Sequence, residues 1–255
     1  MSFSPRNFIL LIAFLGAAAV GFSETIDRPK ILGRKEHDKG AYTQGLLIDQ
    51  NIWLESTGMY GKSELREVDR ENGKVLRSLA LPVEQFGEGL ALHDGKLYQL
   101  TWRAGTCRVI DRKTFKLLEE FKYAGEGWGL TSDGQYLYLS DGTSVIRVMD
   151  PETFKEVRRF QVQGTRGPVK WLNELEWIEG ELWANIYGEK IIVRIRPRDG
   201  KVIGFVDLRH LPVIMDHHQE QDVLNGIARD PESGEIWVTG KYWKALYRIE
   251  WPVLP

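Results

Sequence analysis

Five stretches of this chain repeat one short grammar, and no other feature restricts its fold so tightly. Each opens with an apolar strand at Gln44-Gly45-Leu46, Glu88-Gly89-Leu90, Trp128-Gly129-Leu130, Asn173-Glu174-Leu175 or Asn225-Gly226-Ile227. A turn later, a second strand begins aliphatic-aromatic: Ile52-Trp53, Leu97-Tyr98, Leu137-Tyr138, Leu182-Trp183 and Ile236-Trp237. Third strands end near Asp69, Asp111, Asp150 and Arg196, and fourth strands follow, as at Phe115-Lys116 and Phe154-Lys155. Asp94-Gly95, Asp133-Gly134, Glu179-Gly180 and Asn72-Gly73 place glycine where tight turns need a positive φ. A four-stranded unit of roughly 40–50 residues reads as a propeller blade. The expectation is therefore an all-β, five-bladed β-propeller with four-stranded antiparallel blades. The fifth repeat ends at residues 245–250 without a fourth strand, while a spare strand-like segment, residues 30–35, precedes the first repeat. That segment is expected to complete the last blade and close the ring, which removes exposed edges. A β-sandwich of equally many strands is the alternative, but it does not require internal repetition.

The first residues read differently. Arg6 precedes an uncharged apolar run over residues 8–20, and the small residues Gly21 and Ser23 suit signal-peptidase cleavage. Residues 1–23 are read as a signal peptide and 24–255 as a single catalytic propeller, exported to the periplasm or secreted. A retained anchor is the alternative, although the run is shorter than the ~20 residues of a spanning helix. No cysteine follows it to carry a lipid, and the lone Cys107 excludes an intrachain disulfide or a cysteine-based zinc site. Thirty-four Lys and Arg balance 36 Asp and Glu, which leaves no field to attract nucleic acid or an anionic membrane surface.

First strands of propeller blades line the central channel, so equivalent positions face one another. The position before each repeated Gly or Glu is Gln44, Glu88, Trp128, Asn173 and Asn225; a further set is Thr57, Trp102, Gly142, Tyr187 and Lys241. Together they place a carboxylate, an ammonium, several amides and an aromatic wall around one mouth. Channel-lining amides also serve to bind trapped water, and for Gln44 and Asn225 that reading stands level with a functional one. Glu88 and Lys241, ionisable groups in a confined aromatic setting, point to chemistry. Asp216-His217-His218 reads as a solvated loop rather than a metal site, since adjacent side chains diverge in extended chain. Trp53, Trp183 and Trp237 occupy equivalent second-strand positions and are read as packing between blades. No nucleophile elbow, Walker loop or dinucleotide fingerprint is present.

Six ordered motifs carry a resemblance over about residues 30–250. They are Tyr42-Thr43-Gln44-Gly45-Leu46, Phe86-Gly87-Glu88-Gly89-Leu90, Gly125-Glu126-Gly127-Trp128-Gly129-Leu130, Leu172-Asn173-Glu174-Leu175-Glu176, Trp183-Ala184-Asn185 and Val238-Thr239-Gly240-Lys241. The chain resembles the plant-type and bacterial glutaminyl cyclases. The resemblance implies a five-bladed propeller that converts N-terminal glutamine of peptides or proteins to pyroglutamate with loss of ammonia. It implies Glu88 as acid/base, Asn173 and Lys241 as amide-handling residues, and Gln44, Phe86, Trp102 and Trp128 as pocket lining. Tyr42 and Tyr187 depart from the plant pattern, where Phe and Trp stand, and are taken with Asn225 as further substrate-binding positions. The resemblance calls for no cofactor and no catalytic metal; a structural ion on the propeller axis stays open. The expected partners are peptides beginning with Gln, with no nucleic acid, no membrane after signal cleavage, and a monomer because a closed propeller is self-sufficient.

Two rival functions are weighed. A metal-dependent, lactonase-like propeller hydrolase is suggested by Asn225-Gly226-Ile227-Ala228; that class usually has six blades and several channel carboxylates, against five repeats and one ring carboxylate here. A non-catalytic peptide-binding propeller gives no reason to set Glu88 opposite Lys241.

Overall fold

The computed structural model describes residues 24–213 and 223–251. Residues 1–23 and Asp216-His217-His218, on which the signal-peptide and solvated-loop readings rest, lie outside the described residues. Five sheets form the propeller, and each repeat supplies one. Blade 1 comprises Thr43–Asp49, Ile52–Thr57, Glu64–Asp69 and Val75–Ala80 from the axis outward. Blade 2 begins at Gly87–His93, blade 3 at Leu130–Ser132, blade 4 at Leu172–Ile178 and blade 5 at Leu224–Arg229. Inner strands are buried along almost their whole length, whereas outer strands such as Val75–Ala80 alternate exposed and half-buried residues. Asp94-Gly95 and Glu179-Gly180 take positive φ at both positions, the two-residue turn whose twist matches that of its hairpin.

The ring closes as the spare strand implies. Ile31–Glu36 pairs antiparallel with Ala245–Ile249, with Ile31 opposite Ile249 and Glu36 opposite Ala245. A buried ionic network reinforces the joint. His37 bonds the Trp243 carbonyl at 2.8 Å and Glu55 Oε1 at 3.0 Å, while Arg66 donates to Glu55 Oε2 and to Asp38. Burial disfavours charge on His37, but the Glu55 carboxylate overrides it and raises its proton affinity. The second-strand tryptophans pack between blades as expected: Trp53 meets Trp237 edge-on at 5.6 Å across blades 1 and 5. Trp183 is fully buried with Leu224, Ile227 and Val238 of blade 5.

Blade 4 carries an addition outside its four antiparallel strands. Thr25–Asp27 adds a fifth strand, parallel to Val202–Asp207. Thr25 packs onto Gly204, where a Cβ would come within 2.4 Å of its hydroxyl oxygen, and Asp27 accepts from Arg194. The outer strand of a blade carries unpaired backbone groups, and these three residues pair with its stretch from Gly204 to Val206.

The repeated glycine has a packing cause. A Cβ at Gly45 would lie 2.6 Å from Leu90 N, one at Gly89 2.5 Å from Leu130 N, and one at Gly129 2.0 Å from Asn173 O. Successive inner strands thus approach too closely around the axis for any side chain. Blade 4 carries Glu174 at this position, and its side chain crosses the channel. Oε2 accepts Ile227 N of blade 5 at 2.9 Å, and Oε1 accepts Leu46 N of blade 1 at 3.4 Å. Two residues on, Glu176 accepts Arg229 N at 2.8 Å.

Burial pushes the Glu176 carboxyl up to about 8. An unfolded Glu releases its proton near pH ~4.3, so between there and about pH 8 the native state holds a proton that the unfolded chain has lost. Stability from this group is complete below the unfolded value and is lost as pH rises through about 8, by up to ~1.4 kcal/mol per pH unit. Denaturant titrations should show wild-type stability falling across this window and a flatter profile in Glu176→Gln, whose side chain has no proton to lose. Equal slopes in the two proteins would assign the trend to other groups, His37 among them.

Candidate active site

Inner strands of blades 1, 2, 4 and 5 each break register at the same place: between Thr43 and Gly45, Gly87 and Leu90, Leu172 and Leu175, and Leu224 and Ile227. A bulge re-aims a side chain out of the alternating pattern, and these four enclose Gln44, Glu88, Asn173 and Asn225. Three of them reach a pocket of about 390 Å³ at one end of the channel, lined by Tyr42, Gln44, Met59, Phe86, Glu88, Trp102, Trp128, Asn173, Tyr187 and Lys241. Every site residue expected from the sequence is there except Asn225.

Asn225 is therefore corrected from substrate contact to support. It is fully buried behind Gln44, and its Nδ2 donates to Thr43 O at 2.9 Å and to Gln44 Oε1 at 3.0 Å. With its carbonyl occupied, Gln44 presents Nε2 to Glu88 Oε1 at 2.9 Å. The relay holds the Glu88 carboxylate by its Oε1 in the wall of the pocket.

Burial raises the Glu88 carboxyl well above the ordinary range, opposed by Lys241 and reinforced by Glu126. Burial likewise lowers the Lys241 ammonium to about 8, opposed by Glu88. Its Nζ lies 4.5 Å from the Tyr42 ring centre and 5.1 Å from that of Tyr187, so the two tyrosines that depart from the plant pattern supply the aromatic faces that hold the cation. Burial thus shifts the carboxyl up and the ammonium down, and both shifts make proton exchange easier than at the ordinary values of these groups. Asn173 is buried with its Oδ1 unpartnered, an acceptor for an incoming N–H.

Edge-on contacts join Tyr42 to Phe86 at 5.8 Å, Phe86 to Trp102 at 5.7 Å and Trp128 to Tyr187 at 5.8 Å. The second expected ring divides. Trp102, Tyr187 and Lys241 line the pocket, Thr57 bonds the Glu64 carbonyl within its own blade, and Gly142 lies beneath Trp128. A Cβ at Gly142, whose φ is +79°, would come within 2.8 Å of the indole, so glycine is what admits that ring.

Three contributors escaped the sequence reading. Met59 completes the lining from a backbone φ of 98°. Trp171, 56% exposed at a φ of 64°, lies 6.3 Å from Trp128 at the mouth. Glu126 stands behind the tryptophans. No periodic signal marks the first two, which depend on left-handed backbone that non-glycine residues rarely adopt; Glu126 lies two residues before Trp128 at a position the other repeats do not share.

The count of one ring carboxylate also needs enlarging, since Glu174 and Glu176 share the channel. Their oxygens accept from backbone N–H groups and, at Glu176 Oε2, from the Thr131 hydroxyl, and among the described residues no three His, Cys, Asp or Glu are grouped to hold a metal ion. A second cavity, about 290 Å³ between blades 5 and 1, includes His37, Glu55 and Arg66 in its wall; their polar atoms are committed to the closing network.

Comparison with known proteins agrees with this geometry. The family model described as glutamine cyclotransferase matches residues 9–251. A glutaminyl-peptide cyclotransferase of Arabidopsis thaliana is 40% identical over 237 residues, covering 91% of this chain and 74% of the relative. The crystal structure of Myxococcus xanthus glutaminyl cyclase superposes with a TM-score of 0.85 at 33% identity, covering 91% of this chain and all of that one.

Proposed function

The chain belongs to the glutamine cyclotransferase family, and from that premise we propose that it cyclises the N-terminal glutamine of peptides and proteins to pyroglutamate with release of ammonia, using Glu88, Lys241 and Asn173. The observation that carries the residue roles is the burial of one carboxylate and one ammonium, both with shifted proton affinities, in a single aromatic pocket.

A free α-amino group has a pKa of about 8, so an entering substrate arrives largely as the ammonium. Glu88 takes a proton from it, and the freed amine attacks its own γ-carbonyl carbon. As the C–N bond forms, the carbonyl oxygen gains negative charge, which Lys241 and the Asn173 amide stabilise; a well-placed donor is worth roughly 3 kcal/mol. Glu88 then returns that proton to the departing nitrogen and takes the second proton from the new ring nitrogen; the carbonyl re-forms, and the nitrogen leaves as ammonia, which carries the last proton away as ammonium. The aromatic wall holds the flexible side chain in the folded shape needed for attack and keeps out water that would hydrolyse the amide.

Incubation with a short Gln-initiated peptide tests the reading directly. Loss of the mass of one ammonia, unaffected by exhaustive chelation, is the expected result. Hydrolysis to Glu, or activity abolished by the chelator, would displace it in favour of metal-assisted chemistry. Specificity should concentrate on the first residue. An Asn-initiated peptide would have to close a four-membered ring and an N-acetylated one lacks the nucleophile, so both should be inert. Changes at the second residue should matter far less, because the lining groups serve the glutamine; discrimination there as strong as that of Gln over Asn would contradict the assignment.

The apolar run at residues 8–20 after Arg6 supports export to the periplasm or beyond, with cleavage near Ser23. The closure of the ring by Ile31–Glu36 on Ala245–Ile249 supports action as a monomer.

A further inference from the structure

We propose that Glu126 is a positioning residue for the cyclisation: its carboxylate clamps the indoles of Trp102 and Trp128 into one fixed wall and sets a second negative charge beside Glu88. The proposal rests on the reading of this pocket given above. Trp102 follows the second strand of blade 2, and Trp128 precedes the first strand of blade 3, yet both indole N–H groups converge on one oxygen. Trp102 Nε1 donates to Glu126 Oε2 at 2.7 Å and Trp128 Nε1 donates to the same atom at 2.9 Å. The other oxygen accepts Arg103 Nε at 3.0 Å, and the Arg103 guanidinium lies 3.9 Å over the Trp102 ring. Indole N–H groups at an open mouth could be served by water. A shared ionised acceptor makes shorter, stronger bonds and ties the tilt of one ring to that of the other.

The loop is built to deliver this side chain. Gly127 N donates to Trp102 O at 3.1 Å, so the backbone beside Glu126 is pinned to the first tryptophan. A Cβ at Gly127 would fall 2.3 Å from the Tyr123 hydroxyl oxygen, and Gly125 takes a φ of +84°. Burial works against ionisation of Glu126, but the two indoles and Arg103 outweigh it and hold the carboxyl below its usual range. It is therefore ionised at neutral pH.

That charge bears on the catalytic carboxylate. The groups facing Glu88 are Lys241 across the pocket, Gln44 on blade 1, Asn173 on blade 4, Tyr123 at its back and Glu126 on the loop before blade 3. Only Glu126 among them adds negative charge, and it raises the affinity of Glu88 for the proton that the substrate amine must give up.

Clamp and charge separate by mutation. Glu126→Gln keeps a carbonyl oxygen for the indoles and removes the charge; Glu126→Ala removes both. For Glu126→Ala we expect KM for a Gln-initiated peptide to rise on the order of tenfold, with a changed near-ultraviolet circular dichroism from released tryptophans. For Glu126→Gln we expect KM and the dichroism near wild type, while the acid limb of the kcat/KM profile moves to lower pH as Glu88 loses its anionic neighbour. A residue needed only for local folding would lower thermal stability and leave that limb in place. Wild-type KM and dichroism in Glu126→Ala, or an unmoved acid limb in Glu126→Gln, overturns the proposal. The dichroism reports on the clamp whether or not the wild-type protein proves to cyclise glutamine, so the two readings fail separately.

Discussion

Glu88→Gln is expected to lower kcat on a Gln-initiated peptide by about two to four decades while the propeller stays folded. The amide keeps the shape of the side chain and an acceptor oxygen, though its bond with Gln44 Nε2 then joins two neutral amides. What it loses is the capacity to take a proton from the α-ammonium and return one to the leaving nitrogen. Because burial lifts the Glu88 carboxyl, the wild-type acid limb of the rate profile should stand above the ordinary carboxylate range and be absent from the residual activity of the variant. Lys241, lowered to about 8, should give the alkaline limb, since loss of its proton removes the charge that stabilises the oxyanion. Lys241→Ala should likewise lower kcat more than it raises KM, an interaction made mainly in the transition state. The double variant should lose less than the product of the two, because both groups serve one movement of proton and charge. Near-wild-type turnover by a folded Glu88→Gln protein would remove this residue from the acid/base role.

Glu174→Ala should destabilise the fold by about 2–6 kcal/mol, read as a lower denaturation midpoint with an unchanged slope. Two buried N–H groups, Leu46 N and Ile227 N, lose their acceptor, and each unsatisfied buried donor costs about 1–3 kcal/mol. Against a typical margin of ~5–15 kcal/mol this is a large fraction of the whole. Glu174→Gln, which keeps one acceptor, should lose less than half as much. The strands joined by Glu174 carry Gln44 and Asn225, so a loosened channel should also weaken the relay behind Glu88. A loss below about 1 kcal/mol in Glu174→Ala would show that channel water replaces the carboxylate at little cost.

How much of this was legible in the chain depends on whether the cause is local. Blades, hairpin turns and ring closure follow from short-range signals: strand patterning, Asp-Gly and Glu-Gly turns, and a fifth repeat that lacks the strand found spare at residues 30–35. The pocket follows too, because a repeated position in a propeller recurs at the same height on the axis, which brings Gln44, Glu88, Asn173, Trp102, Trp128, Tyr187 and Lys241 together. The family resemblance added roles that spacing alone does not contain. Contacts across the channel were decided only by the closed ring. In the repeat, Glu174 looks like one more Gly-Leu position; its reach to Leu46 and Ile227, 128 and 53 residues away, exists because the ring has one particular diameter. Asn225 shares the register of Glu88 yet stands behind Gln44, since its amide is bonded within blade 1 before it can reach the pocket. Glu126 lies in plain sight beside Trp128, but the meeting of two indoles on one of its oxygens depends on where blade 2 ends relative to blade 3. Periodicity and turn chemistry act over a few residues and survive in the sequence, whereas hydrogen bonds between blades are set by distances that exist only once all five have closed.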